Sequence, residues 1–145
     1  MSNTTAESAI DEIRQIVADL YDVFTTGDPS PWTGRLAGEH APTGFGTDPQ
    51  EFWSGTEQIT AVLEAQVREM SAAGISIRGD SPTIELHGDV AWMVDQPTLR
   101  TCDGSTVPLR LSSVFTGGGG EWRLAHFHLS VGVPNETMLD ATLTV

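Results

Sequence analysis

Apolar residues in the first half of the chain recur at helical spacing. Ile10, Ile13, Val17, Leu20 and Phe24 follow one another at intervals of three and four, which lines them up on one helical face. Thr4-x-x-Glu7 ahead of them reads as a capping box, and Gly27 behind them as a left-handed residue ending the helix. Asp28-Pro29 restarts the chain as a short second helix running to near Gly38, with a cap followed by proline in the first turn. A break follows from His40 to Asp48, where Thr43, Phe45 and Thr47 alternate with Pro and Gly as a short irregular strand. Ser54-x-x-Glu57 is a second capping box, and Ile59, Val62, Leu63, Val67 and Met70 make the stripe of a third helix closed by Gly74.

After Gly74 the period changes from helical to two. Four strand-like segments are predicted: Ile75 to Leu86 with a break at Pro82, Asp89 to Thr101, Thr106 to Thr116, and Glu121 to Val131. Turn chemistry separates them, at His87-Gly88-Asp89, at Asp103-Gly104-Ser105 and at the run Gly117 to Gly120. Helices first and antiparallel strands last is an α+β pattern in which helices cover one face of a sheet. The absence of βαβ alternation excludes a parallel nucleotide-binding sheet. No linker composition divides residues 1–145, so a single domain is expected.

The last hairpin carries the most specific expectation. Pairing Phe115 with Trp122 across the glycine loop places Leu109, Leu111 and Ser113 on one face with Trp122, Leu124, His126 and His128. The opposite face would carry Arg110, Ser112, Val114, Ala125, Phe127 and Leu129. Neither face is plainly solvent-like, which predicts helices on one side and a second copy of the chain on the other. A slip of one residue would exchange the two faces.

Composition narrows the function classes. The 145 residues carry a formal net charge of −13, which argues against nucleic acid and against an anionic membrane surface as partners. All seven basic residues are Arg, so Schiff-base chemistry and Lys-containing phosphate loops are excluded. The lone Cys102 supports neither a disulfide nor a thiolate metal site and is expected partly buried near a turn. There is no Gly-x-Ser-x-Gly elbow. The first residues lack a basic region and an apolar stretch, so no signal peptide is predicted and a cytoplasmic protein is the expectation.

Candidate site residues follow from the same pattern. His126-x-His128 sets two imidazoles on one side of a strand, but no third ligand is near in sequence, so no metal or other cofactor is predicted. They are instead candidate lining of an apolar pocket, together with Trp53, Trp92, Leu111, Ser113 and Trp122. Trp32 joins the other three tryptophans around the mouth and floor of that cavity. Asp48, before Pro49, is a turn residue or a carboxylate in an apolar mouth able to act as a general base. His40 and His87 flank turns and are expected in solvent.

Several of these segments together resemble a known family. They are Gly27-Asp28, Gly46-Thr47-Asp48-Pro49 with Trp53-x-Gly55, Asp89-Val90-Ala91-Trp92, Pro108-Leu109-Arg110-Leu111, and the run from Trp122 to Ser130. The chain from Ala6 to Glu136 resembles the SnoaL-like branch of the nuclear transport factor 2-like superfamily, which includes domains similar to the calcium/calmodulin-dependent kinase II association domain. The resemblance implies a cone-shaped α+β fold, three N-terminal helices on a curved, mostly antiparallel sheet around a pocket, and commonly a dimer through the sheet's outer face. Ketosteroid isomerases of the superfamily use an Asp next to a Pro as base, which gives Asp48 a possible base role. Tyr21 lies near the slot of their tyrosine donor, whereas the slot of their acidic donor falls at Ser113 or a neighbour. The missing donor pair argues against steroid isomerisation.

Three functions remain open. The first is binding of a small apolar or partly oxygenated ligand without catalysis. The second is a cofactor-independent isomerase, cyclase or dehydratase using Asp48 or a pocket histidine as base. The third is a dimerisation module with a vestigial pocket.

Overall fold

The computed structural model describes residues 2–36, 38, 41–117 and 121–145, with side chains from residue 5 onward. Thr4 of the first capping box, His40, and Gly118 to Gly120 of the glycine run therefore lie outside the described side chains or residues. Helix α1 (Ser2–Thr26) buries the predicted stripe, with Ile13, Val17, Leu20 and Phe24 in the core. It ends where Gly27 takes φ +76° and donates its N–H to the Val23 carbonyl at 2.8 Å, a conformation glycine adopts without a Cβ clash. Helix α2 (Ser30–Thr33) is a single turn rather than a run to Gly38. The chain leaves it at Gly34 so that Leu36 can bridge, in parallel, to Leu124 of the sheet.

Strand β1 (Thr43–Phe45) falls within the predicted irregular strand, but Trp53 belongs to a second strand, β2 (Phe52–Ser54), where a loop was expected. The two form an antiparallel pair. Helix α3 (Thr56–Ala72) buries Ile59, Leu63 and Val67. Its predicted capping box does not form. Ser54 is still paired in β2, Gly55 takes the cap position without a side-chain bond, and the Ser54 N–H donates to Gln58 Oε1 at 2.9 Å.

The predicted sheet segments resolve into β3 (Ser76–Arg78), β4 (Thr83–His87), β5 (Val90–Asp95), β6 (Thr98–Arg100), β7 (Thr106–Thr116) and β8 (Arg123–Val131), followed by the short helix α4 (Asn135–Leu139). The break at Pro82 is present, and Gln96-Pro97 divides the next segment in the same way, since proline cannot donate to a ladder. The strand order is β2-β1-β8-β7-β5-β4, with β6 also on β7 and β3 on β6. Strand β7 is the spine. One of its edges pairs with β5 and then β6, and its other edge pairs along β8. Among the described strands all pairings are antiparallel except β1 on β8. Helices pack on one face of this curved sheet, in an α+β arrangement around one buried cluster. Among the described residues no helix is long and apolar enough to cross a membrane.

The register of β7 on β8 corrects the sequence reading. Phe115 pairs with Leu124, not Trp122, and Val114 pairs with His126, so Ala125 is an extra residue in β8. Such a bulge reverses the inward and outward alternation beyond it. Leu124 keeps the inward side expected for it. Beyond Ala125, Phe127 and Leu129 turn inward, opposite Ser113 and Leu111, while His126 and His128 turn outward, opposite Val114 and Ser112. The two histidines therefore sit on the sheet face away from the helices.

The inward Phe127 depends on its neighbour in β1. Gly44 is its parallel partner, and a Cβ there would collide with the Phe127 ring. Gly44→Ala should therefore cost about 1–3 kcal/mol, as overpacking in a close-packed core does. The check is a urea unfolding curve with a lower midpoint at unchanged slope; an unshifted midpoint would refute the close approach.

Candidate functional site

A cavity of about 350 Å³ opens between the helices and the inward sheet face. Its wall is mostly apolar. Phe24 comes from α1, Trp32 from α2, Leu63 and Met70 from α3, Trp53 from β2, Leu109 and Leu111 from β7, and Phe127 and Leu129 from β8. Phe127 lies between the two indoles, edge-on to Trp32 at 5.1 Å between ring centroids and tilted against Trp53 at 6.2 Å. The Trp32 indole N–H is satisfied by the Leu20 carbonyl at 2.8 Å, which leaves its rings free to act as apolar wall.

The polar groups sit at two places. One is the mouth, where the turn between β1 and β2 meets α3. There Glu51 Oε1 accepts the Asp48 N–H at 2.8 Å, and Glu51 Oε2 accepts the Gln66 side-chain amide at 2.7 Å. Thr47, Gln66 and Glu69 complete this rim. The other is Tyr21, whose hydroxyl donates to Asp95 Oδ2 at 2.8 Å. Asp95 also accepts the backbone N–H groups of Gln96 at 2.8 Å and of Asp80 and Ser81 at 3.3 Å each. Four donors on one buried carboxylate offset its loss of water. Burial, with the hydrogen bond to Asp95 and its charge, pushes the Tyr21 hydroxyl above its ordinary 10.0, so it stays a neutral donor.

The sequence-derived candidates divide between this cavity and elsewhere. Trp53 and Leu111 are on its wall. Ser113 is buried on the inward face but is not part of the wall, and its hydroxyl has no partner among the described residues. Trp122 is buried against Gly117, beside a shallow recess with Arg35 and Arg123. Trp92 is 42% exposed on the outer face, stacked on His87 at 5.0 Å. The four tryptophans thus do not share one cavity. His126 shares a 2.7 Å hydrogen bond with the Thr43 hydroxyl, and His128 packs on Phe45, both outside the cavity. Asp48 is exposed and its Oδ1 accepts the Gln50 N–H at 2.9 Å, closing the turn rather than entering the cavity. Cys102 is exposed rather than partly buried. Among the described residues no three His, Cys, Asp or Glu side chains converge as a metal-ligand set.

Tyr21 is singled out only through the family resemblance, and sequence reasoning missed Glu51 and the pairing of Tyr21 with Asp95. Glu51 stands three residues after Asp48, and only the turn geometry tells which acid faces inward. The pairing of Tyr21 with Asp95 spans 74 residues. Its one sequence signal is an acid ending the inward series Ala91, Met93, Asp95 of a strand.

With this geometry in hand, comparisons with known proteins agree on the fold. The family model for the SnoaL-like domain matches residues 13–134. Among solved structures, an NTF2-like protein of unknown function from Pseudomonas putida KT2440 superposes with a TM-score of 0.79 at 20% identity, covering 96% of each chain. An NTF2-like protein with a cystatin-like fold from Novosphingobium aromaticivorans gives 0.75 at 16% identity over 98% of this chain and 97% of its own. A Xanthomonas campestris protein described as a candidate calcium/calmodulin dependent protein kinase II association domain gives 0.63 at 21%, over 83% and 86%. No curated protein matches the chain at a significant level. Identities this low establish the shared fold alone.

Tyr21 is the only tyrosine in the chain, which makes its ionisation directly observable. With the folded value raised, its contribution to stability is fully present below pH 10.0 and falls as pH rises beyond it, because only the unfolded chain releases the proton there. Phenolate absorbance should therefore appear only together with alkaline unfolding. An ionisation near pH 10.0 in protein that is still folded would refute the buried hydrogen bond.

Proposed function

Because the chain belongs to the SnoaL-like domain family, we propose that it is a small-molecule-binding protein of the cytoplasm whose site is the cavity between the helices and the inward sheet face. The observation that carries this reading is the cavity itself. Interiors are normally close-packed, yet about 350 Å³ remains open here between aromatic and aliphatic walls, within the size range of small-ligand sites. The ligand has an apolar body held by Trp32, Trp53, Phe127, Leu63 and Leu111, and one polar end at the Thr47–Glu51 rim. Non-catalytic binding is favoured over the isomerase, cyclase or dehydratase reading because Asp48, His126 and His128 are not among the residues that line the cavity.

The same proposal includes a homodimer through the outer sheet face. Trp92 and Val114 are cross-strand neighbours there, Val94 follows in the next row, and Phe45 and Phe52 extend the apolar surface toward the far edge. Exposed aromatic side chains in adjacent rows are uncommon on a monomer's surface.

Two variants separate these parts. Leu129→Trp projects an indole into the cavity and should weaken binding of a neutral apolar probe such as N-phenyl-1-naphthylamine about tenfold, or 1.4 kcal/mol, without changing the dimer. Trp92→Glu should do the reverse. Calorimetric titration and sedimentation read the two outcomes, the dimer having twice the 15.5 kDa of one chain. Unaltered probe binding in Leu129→Trp would refute the site, and a wild-type monomer at micromolar concentration would refute the pairing.

A further inference from the structure

Resting on that reading of the cavity, we propose that its ligand is an organic cation: an amine or quaternary ammonium group on an apolar body, with the charge seated at the mouth beside Glu51 and Glu69. Every charged side chain on the cavity wall is a carboxylate. None of the seven Arg residues is among them, and the chain has no Lys. His126 and His128, which flank the wall residue Phe127 in sequence and could otherwise present positive charge to a ligand, are turned to the opposite face by the bulge at Ala125. An anionic ligand would meet repulsion at this rim, and a neutral one would leave the half-buried Glu51 carboxylate without a counter-charge.

Three features make the rim more than an acidic surface. Glu51 is held in place from the turn and from α3 at once, by the Asp48 N–H and the Gln66 amide, which leaves further lone pairs on both oxygens. Among the described residues neither Glu51 nor Glu69 enters an ion pair, although Glu51 is half-buried. The carboxylate is also packed next to an aromatic ring. A Cβ on Gly46 would lie 2.8 Å from both Glu51 Cδ and Trp53 Cη2, so acid and indole flank a single point above a residue that has no side chain. A carboxylate next to an indole at the entrance of an apolar cavity suits a cation that carries its own hydrocarbon, since charge and ring attraction act together once water is displaced. The net charge of −13 adds long-range attraction of the same sign.

The test uses three probes with one skeleton: 4-phenylbutylammonium, 4-phenylbutan-1-ol and 4-phenylbutanoate, titrated calorimetrically into the wild-type chain and into Glu51→Gln/Glu69→Gln. The Gln66 amide can turn over to accept from a glutamine at 51, so the double variant keeps the rim's hydrogen bonds while removing its charge. The expected order is ammonium, alcohol, carboxylate, with the double variant weakening the ammonium about tenfold more than the alcohol, since the alcohol loses only a stronger hydrogen-bond acceptor and the ammonium loses its counter-charge. An alcohol that binds as tightly as the ammonium, or an ammonium indifferent to the double variant, overturns the inference and leaves the cavity reading intact. Ammonium binding that survives Leu129→Trp reports attraction to the acidic surface and also overturns it. If none of the three probes binds, the cavity reading fails as well.

Discussion

An extra residue at Ala125 decides which half of β8 faces the helices. Among the described strands β8 alone joins β7 to the β1–β2 pair, so its register is inherited by everything on that side of the sheet. Upstream of the bulge, Leu124 is buried next to Phe115. Downstream, the phase reverses and brings Phe127 inward, between Trp32 and Trp53. Without that reversal two imidazoles would occupy the position of the Phe127 and Leu129 side chains. The cavity would then need partners for their nitrogens, which a dry apolar wall does not supply. The bulge is what allows a strand rich in both histidine and large apolar residues to build a clean hydrophobic floor.

Close backbone approach then shapes the rest of the site. Gly44 lets the Phe127 ring lie directly on β1, and Gly46 lets the Glu51 carboxylate and the Trp53 indole share one position. These two glycines, two residues apart, bring aromatic and charged groups nearer to each other than any side chain at 44 or 46 would permit. Glu51 is fixed mainly by backbone geometry, since the Gly46 N–H donates to its carbonyl and its own N–H donates to the Asp48 carbonyl, each at 2.9 Å. The chemistry at the mouth therefore follows from a turn and two missing side chains rather than from a motif.

That origin explains what was legible in the sequence. The long helices were readable because their stripes are buried as written: Ile13, Val17 and Leu20 in α1, and Ile59, Leu63 and Val67 in α3. The order of strands and the break at Pro82 were readable from local turn chemistry. The faces of the last hairpin were not, because a uniform period of two was assumed through Ala125. The apolar phase itself changes there: Trp122 and Leu124 fall on one parity, Phe127 and Leu129 on the other. That slip is the local mark of a bulge, and the eye-catching His-x-His spacing concealed it. Asp48 is the acid that the sequence singles out, for a similar reason. Its place before Pro49 fits a motif, whereas the inward acid is selected by hydrogen bonds that close only in three dimensions.

The polar chemistry of this fold is confined to places where regular structure ends. Inside the cavity, strands and helices contribute Phe, Trp, Leu and Met almost throughout, and the polar group deepest in the wall, the Tyr21 hydroxyl, is already bonded to Asp95. What remains adjustable lies in the turn at residues 47–51 and on α3 at Gln66 and Glu69. Substitutions there need not disturb the buried cluster, since Glu69 is exposed and Glu51 half-buried. Under the proposed function, a scaffold arranged in this way separates the cost of folding from the choice of ligand: the sheet and helices fix a hydrophobic volume, and a few rim side chains would set the charge of what enters it. In this chain the rim is acidic, and the bulge has removed the imidazoles that would have answered it from within.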